Sequence, residues 1–146
     1  MLAALQAKLG VGDEMVFKAG SALAGGVAVQ GETCGALTGA IMAIGCVVGR
    51  ERLEDVEQYQ RAKEPAKEMF HRFREQVGHS QCAEIHKLRY GRTYRLAEPQ
   101  EARAFHEMGG HSRTGCPEVC GIAARIAADI ILRLRPEIEQ SLHLSA

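Results

Sequence analysis

The sequence has no surplus of either charge. Its 18 lysines and arginines meet 18 aspartates and glutamates, so no overall field draws it to nucleic acid or to an anionic membrane surface. It also lacks an apolar run of the roughly 20 residues that a membrane span requires. The uncharged stretch between Glu32 and Arg50 is shorter than that and rich in glycine. Met1 to Lys8 has neither the basic region nor the long apolar region of a signal peptide, which predicts a cytoplasmic protein. No segment alternates in the manner of a strand, and no repeat of roughly 20–50 residues recurs. The phosphate-binding Gly-x-x-x-x-Gly-Lys-Ser/Thr loop, the Gly-x-Ser-x-Gly elbow, the His-Glu-x-x-His helix and the haem-attaching Cys-x-x-Cys-His are all missing. Their absence argues against a hydrolase or transferase of those kinds.

What remains is helical. At 146 residues the chain is long enough for one domain, residues 1–146, with a real core. Its patterning predicts an all-α, compact helical bundle around a buried glycine-rich central helix. That helix is the uncharged stretch itself, with Thr33 as its N-cap and Cys34 in its first turn. Gly35, Gly39, Gly45 and Gly49 fall one turn apart in two pairs, and each costs about 1 kcal/mol of helix propensity relative to alanine. Close approach of another helix or of a cofactor to the bare backbone would offset that cost.

Around it, Leu2, Leu5 and Leu9 form a short stripe ending at Gly10. Asp13 can cap a helix to about Leu23 with Met15, Val16, Ala19 and Leu23 inward. Leu53, Val56 and Tyr59 mark a solvent-facing helix, and Pro65 starts or kinks the next, which carries Met69, Phe70, Phe73 and Val77. Ser80 can cap a short helix with Cys82, Ile85 and His86. Pro99 opens another, with Ala102, Phe105 and Met108 along one side and Gly109-Gly110 as its stop. Cys116-Pro117 begins the last long helix, lined by Val119, Ile122, Ile126, Ile130 and Leu134. Pro136 closes or kinks it, and Ile138 and Leu142 suggest a terminal piece.

Five cysteines without an export signal point to thiol chemistry, metal ligation or simple burial, and an odd number cannot all be paired in disulfides. Cys34, Cys82 and Cys116 are each expected in the first turn of a separate helix. Free backbone N–H groups and the positive end of the helix dipole favour a thiolate there. Cys120 follows Cys116 by one turn on the same face. The residues alone leave reactive thiols and inert buried ones both open, and Cys46, in mid-helix, is expected to be a core thiol.

Several motifs in order carry a resemblance. Cys34-Gly35-Ala36-Leu37-Thr38-Gly39, Cys82-Ala-Glu-Ile-His86, Tyr90-Gly91-Arg92, Gly109-Gly110-His111 and Cys116-Pro117-Glu-Val119 running into Ala123-Ala124 resemble the C-GCAxxG-C-C family of redox-active proteins. Related domains of that family occur in split-Soret cytochromes. The family pattern also has a cysteine upstream of the CGAxxG block, and no cysteine precedes Cys34 in this sequence.

The resemblance implies a redox protein that uses its clustered cysteines, Cys34, Cys82 and Cys116, directly as thiols and disulfide or through an iron–sulfur cluster for electron transfer. On that reading the metal ligands are Cys34, Cys82 and Cys116 with Cys120 or His111 as the fourth, and Gly35, Gly39 and Cys120 flank the cofactor. The amount of apolar surface in so glycine-rich a chain, with Gly35, Gly39, Gly45 and Gly49 inviting close helix contact, suggests a homodimer, and the electron-transfer partner is not given by the sequence. The competing reading is a non-catalytic α-helical accessory module with structural cysteines.

Overall fold

The computed structural model describes the backbone of residues 1–144 and the side chains of residues 1–136. Among the described residues the chain forms seven α-helices and one 3-10 turn, and its single β contact is an isolated bridge between Thr33 and Gln81. The helices are α1 (Leu2–Leu9), α2 (Glu14–Gly20), α3 (Gly35–Val48), α4 (Val56–Val77), α5 (Cys82–Tyr90), α6 (Pro99–Glu107) and α7 (Cys116–Leu144), with the 3-10 turn at Ser21–Leu23.

The core lies between α3, α4 and α7, which pack on one another, and α1 covers α3 and α7 at one end. From α3 it takes Leu37, Ala40, Ala43 and Ile44, from α4 Met69 and Phe73, and from α7 Val119, Ala123, Ile126, Ile130 and Ile131. Alanines on α3 let the two longer helices approach closely, while the branched side chains of α7 fill the space between them. Leu2 and Leu5 of α1 are buried as their spacing predicts, and Gly10 ends that helix in the left-handed conformation at φ +61°, its N–H donating to the Gln6 carbonyl at 2.9 Å.

Four expectations about the elements change. Asp13 does cap α2, its side chain accepting from the Val16 N–H at 3.0 Å, but the α-helix stops at Gly20 and none of its residues is buried. Met15 is 67% and Phe17 49% exposed, because α2 lies over α3 at the edge of the bundle and nothing covers its outer side. Secondly, α4 is one helix of 22 residues rather than two. Pro65 removes a single backbone donor, and its buried ring together with Met69, Phe73 and Val77 holds the continuous face against the core. Thirdly, α7 continues through Pro136, and the side chains of Ile138 and Leu142 lie outside the described residues. Finally, Met108 falls outside α6 and is exposed, so the inward face of that helix rests on Phe105.

The glycines of α3 divide by face. A Cβ on Gly35 would stand 2.5 Å from the Leu23 carbonyl oxygen, and one on Gly39 would stand 2.6 Å from Met1 Cε. Gly35 therefore needs glycine, because the backbone it faces cannot give way, whereas at Gly39 the flexible end of Met1 can swing aside. Gly45 has no neighbour within 4 Å, and Gly49 would meet only Gly45 of its own helix, so the expected helix contact is absent at these two.

Candidate functional site

The site is assembled at helix starts. Gly25 to Val29 form a left-handed turn, in which even Val27, Ala28 and Val29 have φ of 57°, 51° and 58°. For β-branched residues this is a strained conformation. Long-range turn bonds hold it, from the Gly31 N–H to Gly25 O at 3.0 Å and from the Glu32 N–H to Gly26 O at 2.9 Å. The following residues pair with the segment before α5. Thr33 bridges Gln81, the Cys34 N–H donates to Ser80 O at 2.8 Å and the Cys82 N–H donates to Glu32 O at 2.7 Å. At the start of α7 the Cys116 N–H donates to Gly110 O at 2.8 Å.

These contacts revise the expected caps. Thr33 is occupied by the bridge, so Cys34 itself takes the N-cap position of α3 and its side chain makes no capping bond. Ser80 likewise gives its carbonyl to Cys34, and Gln81 precedes α5 with Cys82 as the first helical residue. Neither change moves the cysteines away from the helix starts.

One apolar cavity of about 390 Å³ is lined by Cys34, Cys82, Cys116 and Cys120 together with Gly35, Gly39 and His111. Ile85, Phe105 and Val119 supply apolar wall, and Phe17 stands at its edge. All five cysteines are free thiols. Arg89 of α5 fixes the wall beside Cys116, donating to Thr114 O at 2.7 Å and to the Glu118 carboxylate. The two glycines border the cavity; a Cβ on Gly35 would meet the Leu23 carbonyl, outside the lining, and one on Gly39 would meet Met1, which itself lines the cavity.

Burial decides the protonation of these thiols. The Ala36 and Leu37 N–H groups of α3 pull the Cys34 thiol down, as its position predicts, but burial pushes it up by more. Burial, with the neighbouring Cys34 and Cys116 sulfurs adding to it, raises Cys82 from 9.0 to about 12. Cys116 rises from 9.0 to about 11 through burial and then Cys34 and Cys120, with Arg89 pulling the other way. The expectation that helix starts would lower these pKa values is therefore corrected. An apolar wall disfavours the charged form more than a few N–H dipoles favour it.

Cys46 is a second correction. It is exposed on α3 rather than buried in the core. With no charge between Glu32 and Arg50, nothing in the sequence marks which face of that helix looks outward.

Among the described residues no three His, Cys, Asp or Glu side chains gather tightly enough to hold one metal ion. His111 is exposed, with its Nδ1 3.4 Å from His106 Nδ1 and its ring edge-on to Phe105. His86, which the sequence reading placed in the Cys82 to His86 motif without giving it a role, is buried on the cavity wall with Nε2 3.6 Å from Cys82 Sγ. Its burial, with His111 adding to it, lowers the imidazole pKa from the ordinary 6.5. The available signal was the Cys-x-x-x-His spacing, which sets both side chains on one helical face.

Fold and cavity together define a helical domain in which four thiols from three helices face one apolar space. Residues 1–130 match the family described as "Putative redox-active protein (C_GCAxxG_C_C)", and the chain belongs to that family. No curated protein and no solved structure matches it. The family description supports a redox role in general.

Proposed function

We propose that the protein is an electron carrier that holds an iron–sulfur cluster through Cys34, Cys82, Cys116 and Cys120. The observation that carries this reading is the meeting of four cysteines, from three separate segments of the chain, on the wall of one cavity. The donor set fits the group. A single ion with ligand bonds of about 2.3 Å needs its donors gathered more closely than they are here, whereas a cluster of several irons and sulfides spreads its thiolates over a wider span. When bound, such a cluster takes up and releases single electrons.

The chain's own residues have separate tasks in this reading. Ile85, Phe105 and Val119 exclude water from the sulfurs, and the backbone bonds at Cys34, Cys82 and Cys116 fix where each thiol sits. Burial of Cys34 and Cys82, at 9% and 6% exposure, shields them from the disulfide of another protein and favours ligation over thiol exchange. The protein is read as cytoplasmic and as a homodimer, for which the exposed Met15 and Phe17 of α2 supply apolar surface. Light scattering at micromolar concentration giving the monomer mass would remove the dimer.

The test is anaerobic purification or reconstitution with ferrous iron and sulfide, followed by a visible spectrum and analysis of bound iron and acid-labile sulfide. The expected result is a chromophore that Cys34→Ser abolishes and Cys46→Ser leaves intact. Absence of iron with reversible loss of two thiols on air oxidation favours disulfide chemistry instead. Five thiols that persist through oxidation, again without iron, leave the accessory module.

A further inference from the structure

One buried polar group on the cavity wall is left over by the four thiols. His86 is 1% exposed and lies one turn after Cys82 on α5, with Nε2 3.6 Å from the Cys82 sulfur. Its Nδ1 has no hydrogen bond of ordinary geometry among the described residues, and the Tyr94 backbone is the polar group that reaches the ring. The ring is clamped by Phe105, stacked at 4.4 Å between centroids and 24° between planes, by Tyr94 nearly edge-on at 6.1 Å and 73°, and by Tyr90 at 5.9 Å. It cannot turn to water without displacing that aromatic shell.

Buried polar groups are ordinarily satisfied, and a thiol is a weak partner for a ring nitrogen. An imidazole kept here, with the Tyr94 backbone near the ring and Nε2 beside only a sulfur, leaves Nε2 as a free donor in the wall of a sulfur-lined cavity. Neutral imidazole is a common metal ligand, and iron in sulfide clusters accepts it in place of thiolate. His111, the other imidazole bordering the cavity, is exposed and faces His106.

We propose that His86 is a nitrogen donor to the iron–sulfur site, taking the ligand place given above to Cys120 and acting beside Cys82 as a mixed sulfur and nitrogen ligand pair from one helix. The assignment rests on the cluster reading given above. A neutral nitrogen in place of a negative thiolate raises the reduction potential of such a cluster. The His86→Cys variant, which restores a sulfur, therefore has a lower potential than the wild type.

The experiment uses the full chain reconstituted anaerobically with ferrous iron and sulfide, reduced with dithionite and studied by pulsed electron paramagnetic resonance. A strongly coupled nitrogen is expected, its nuclear-spin pattern changing when the protein carries 15N-labelled histidine. It is lost in His86→Ala and His86→Cys and kept in His111→Ala. A loaded wild-type cluster without nitrogen coupling, or coupling that persists in His86→Cys, overturns the assignment while the cluster reading stands. A wild type that takes up no iron overturns both. If neither His86 variant folds or loads, the other five histidines are replaced one at a time. Coupling that survives every replacement assigns it to His86, and loss at any of them overturns the proposal.

Discussion

Gly26 is the position where the site can be disturbed without touching a sulfur. It sits in the left-handed turn at φ +76°, and an alanine Cβ there would stand 2.6 Å from both the nitrogen and the oxygen of Glu32 and 2.7 Å from Cys82 Cβ. Two costs follow. The left-handed conformation costs an L-residue about 1–2 kcal/mol, and overpacking adds about 1–3 kcal/mol. The upper half of that second range applies, because backbone and Cβ atoms cannot swing aside. Gly26→Ala should therefore lose about 3–5 kcal/mol, which for a domain of this size lowers the melting temperature by about 9–15 °C at about 3 °C per kcal/mol. Gly10→Ala is the control. Gly10 is also left-handed, at φ +61°, but nothing lies within 4 Å of its Cβ position, so only the conformational cost of about 1–2 kcal/mol applies. Urea unfolding followed by helical circular dichroism on the cofactor-free protein gives both values. Equal costs for the two variants would refute the claim that the turn presses on the Glu32 to Cys82 pairing. Iron uptake should fall in Gly26→Ala and not in Gly10→Ala.

Thiol labelling separates the cysteines. Raising Cys82 from 9.0 to about 12 cuts its thiolate fraction about 1000-fold at pH 8, and the higher intrinsic nucleophilicity of a more basic thiolate recovers about 20-fold. Alkylation of Cys82 in the native cofactor-free protein should thus run at least about 50-fold slower than in a free cysteine peptide, with Cys46 labelled first and all five labelled in denaturant. Peptide mass spectrometry reads the order. The same shift has a sign in stability. A thiol whose pKa is raised on folding stabilises the fold below its unfolded value near 9 and loses that contribution as pH rises towards about 12. Between about pH 9.5 and 11 the unfolding free energy of the cofactor-free protein should fall by up to about 1.4 kcal/mol per pH unit from Cys82 alone, and Cys82→Ser should remove that part of the slope. Phe105 is fully buried against His86, so Phe105→Ala should cost about 3–5 kcal/mol in urea unfolding and diminish the nitrogen coupling of the reduced cluster.

The helices were legible where one residue type decides each boundary. Asp13 capping α2, Gly10 ending α1 in the left-handed region, and Pro99 opening α6 all follow from local chemistry. Prolines at 65 and 136 misled, since a long apolar face outweighs one missing backbone bond. The grouping of Cys34, Cys82 and Cys116 was legible from the family pattern, and their placement at helix starts from Thr33, Ser80 and Pro117 nearby. Their protonation was not legible. Helix position is a local property, whereas desolvation depends on Ile85 of α5, Phe105 of α6 and Val119 of α7 closing together around the sulfurs. His86 was hidden for a related reason. Its Cys-x-x-x-His spacing is common, and only the ring packing of Phe105, Tyr90 and Tyr94 gives the imidazole its isolation.

The three helix-start cysteines share a backbone role that separates their chemistry from their structural part. The N–H groups of Cys34, Cys82 and Cys116 donate to Ser80, Glu32 and Gly110 at 2.8, 2.7 and 2.8 Å, each acceptor lying outside the cysteine's own helix. These bonds position the three thiols, and they belong to the main chain. Serine keeps the N–H and nearly the same volume, so Cys34→Ser, Cys82→Ser and Cys116→Ser should retain the three anchoring bonds. The remaining cost is that of a hydroxyl in an apolar wall, about 1–3 kcal/mol. Each variant should therefore stay helical and cooperative in its unfolding while losing iron uptake. The comparison that decides is the anchored backbone against the sulfur. If the serine variants lose their cooperative fold, the thiols are structural pieces of the core and the redox reading loses its footing. If all three remain folded and still bind iron at the wild-type level, the sulfurs are not the ligands.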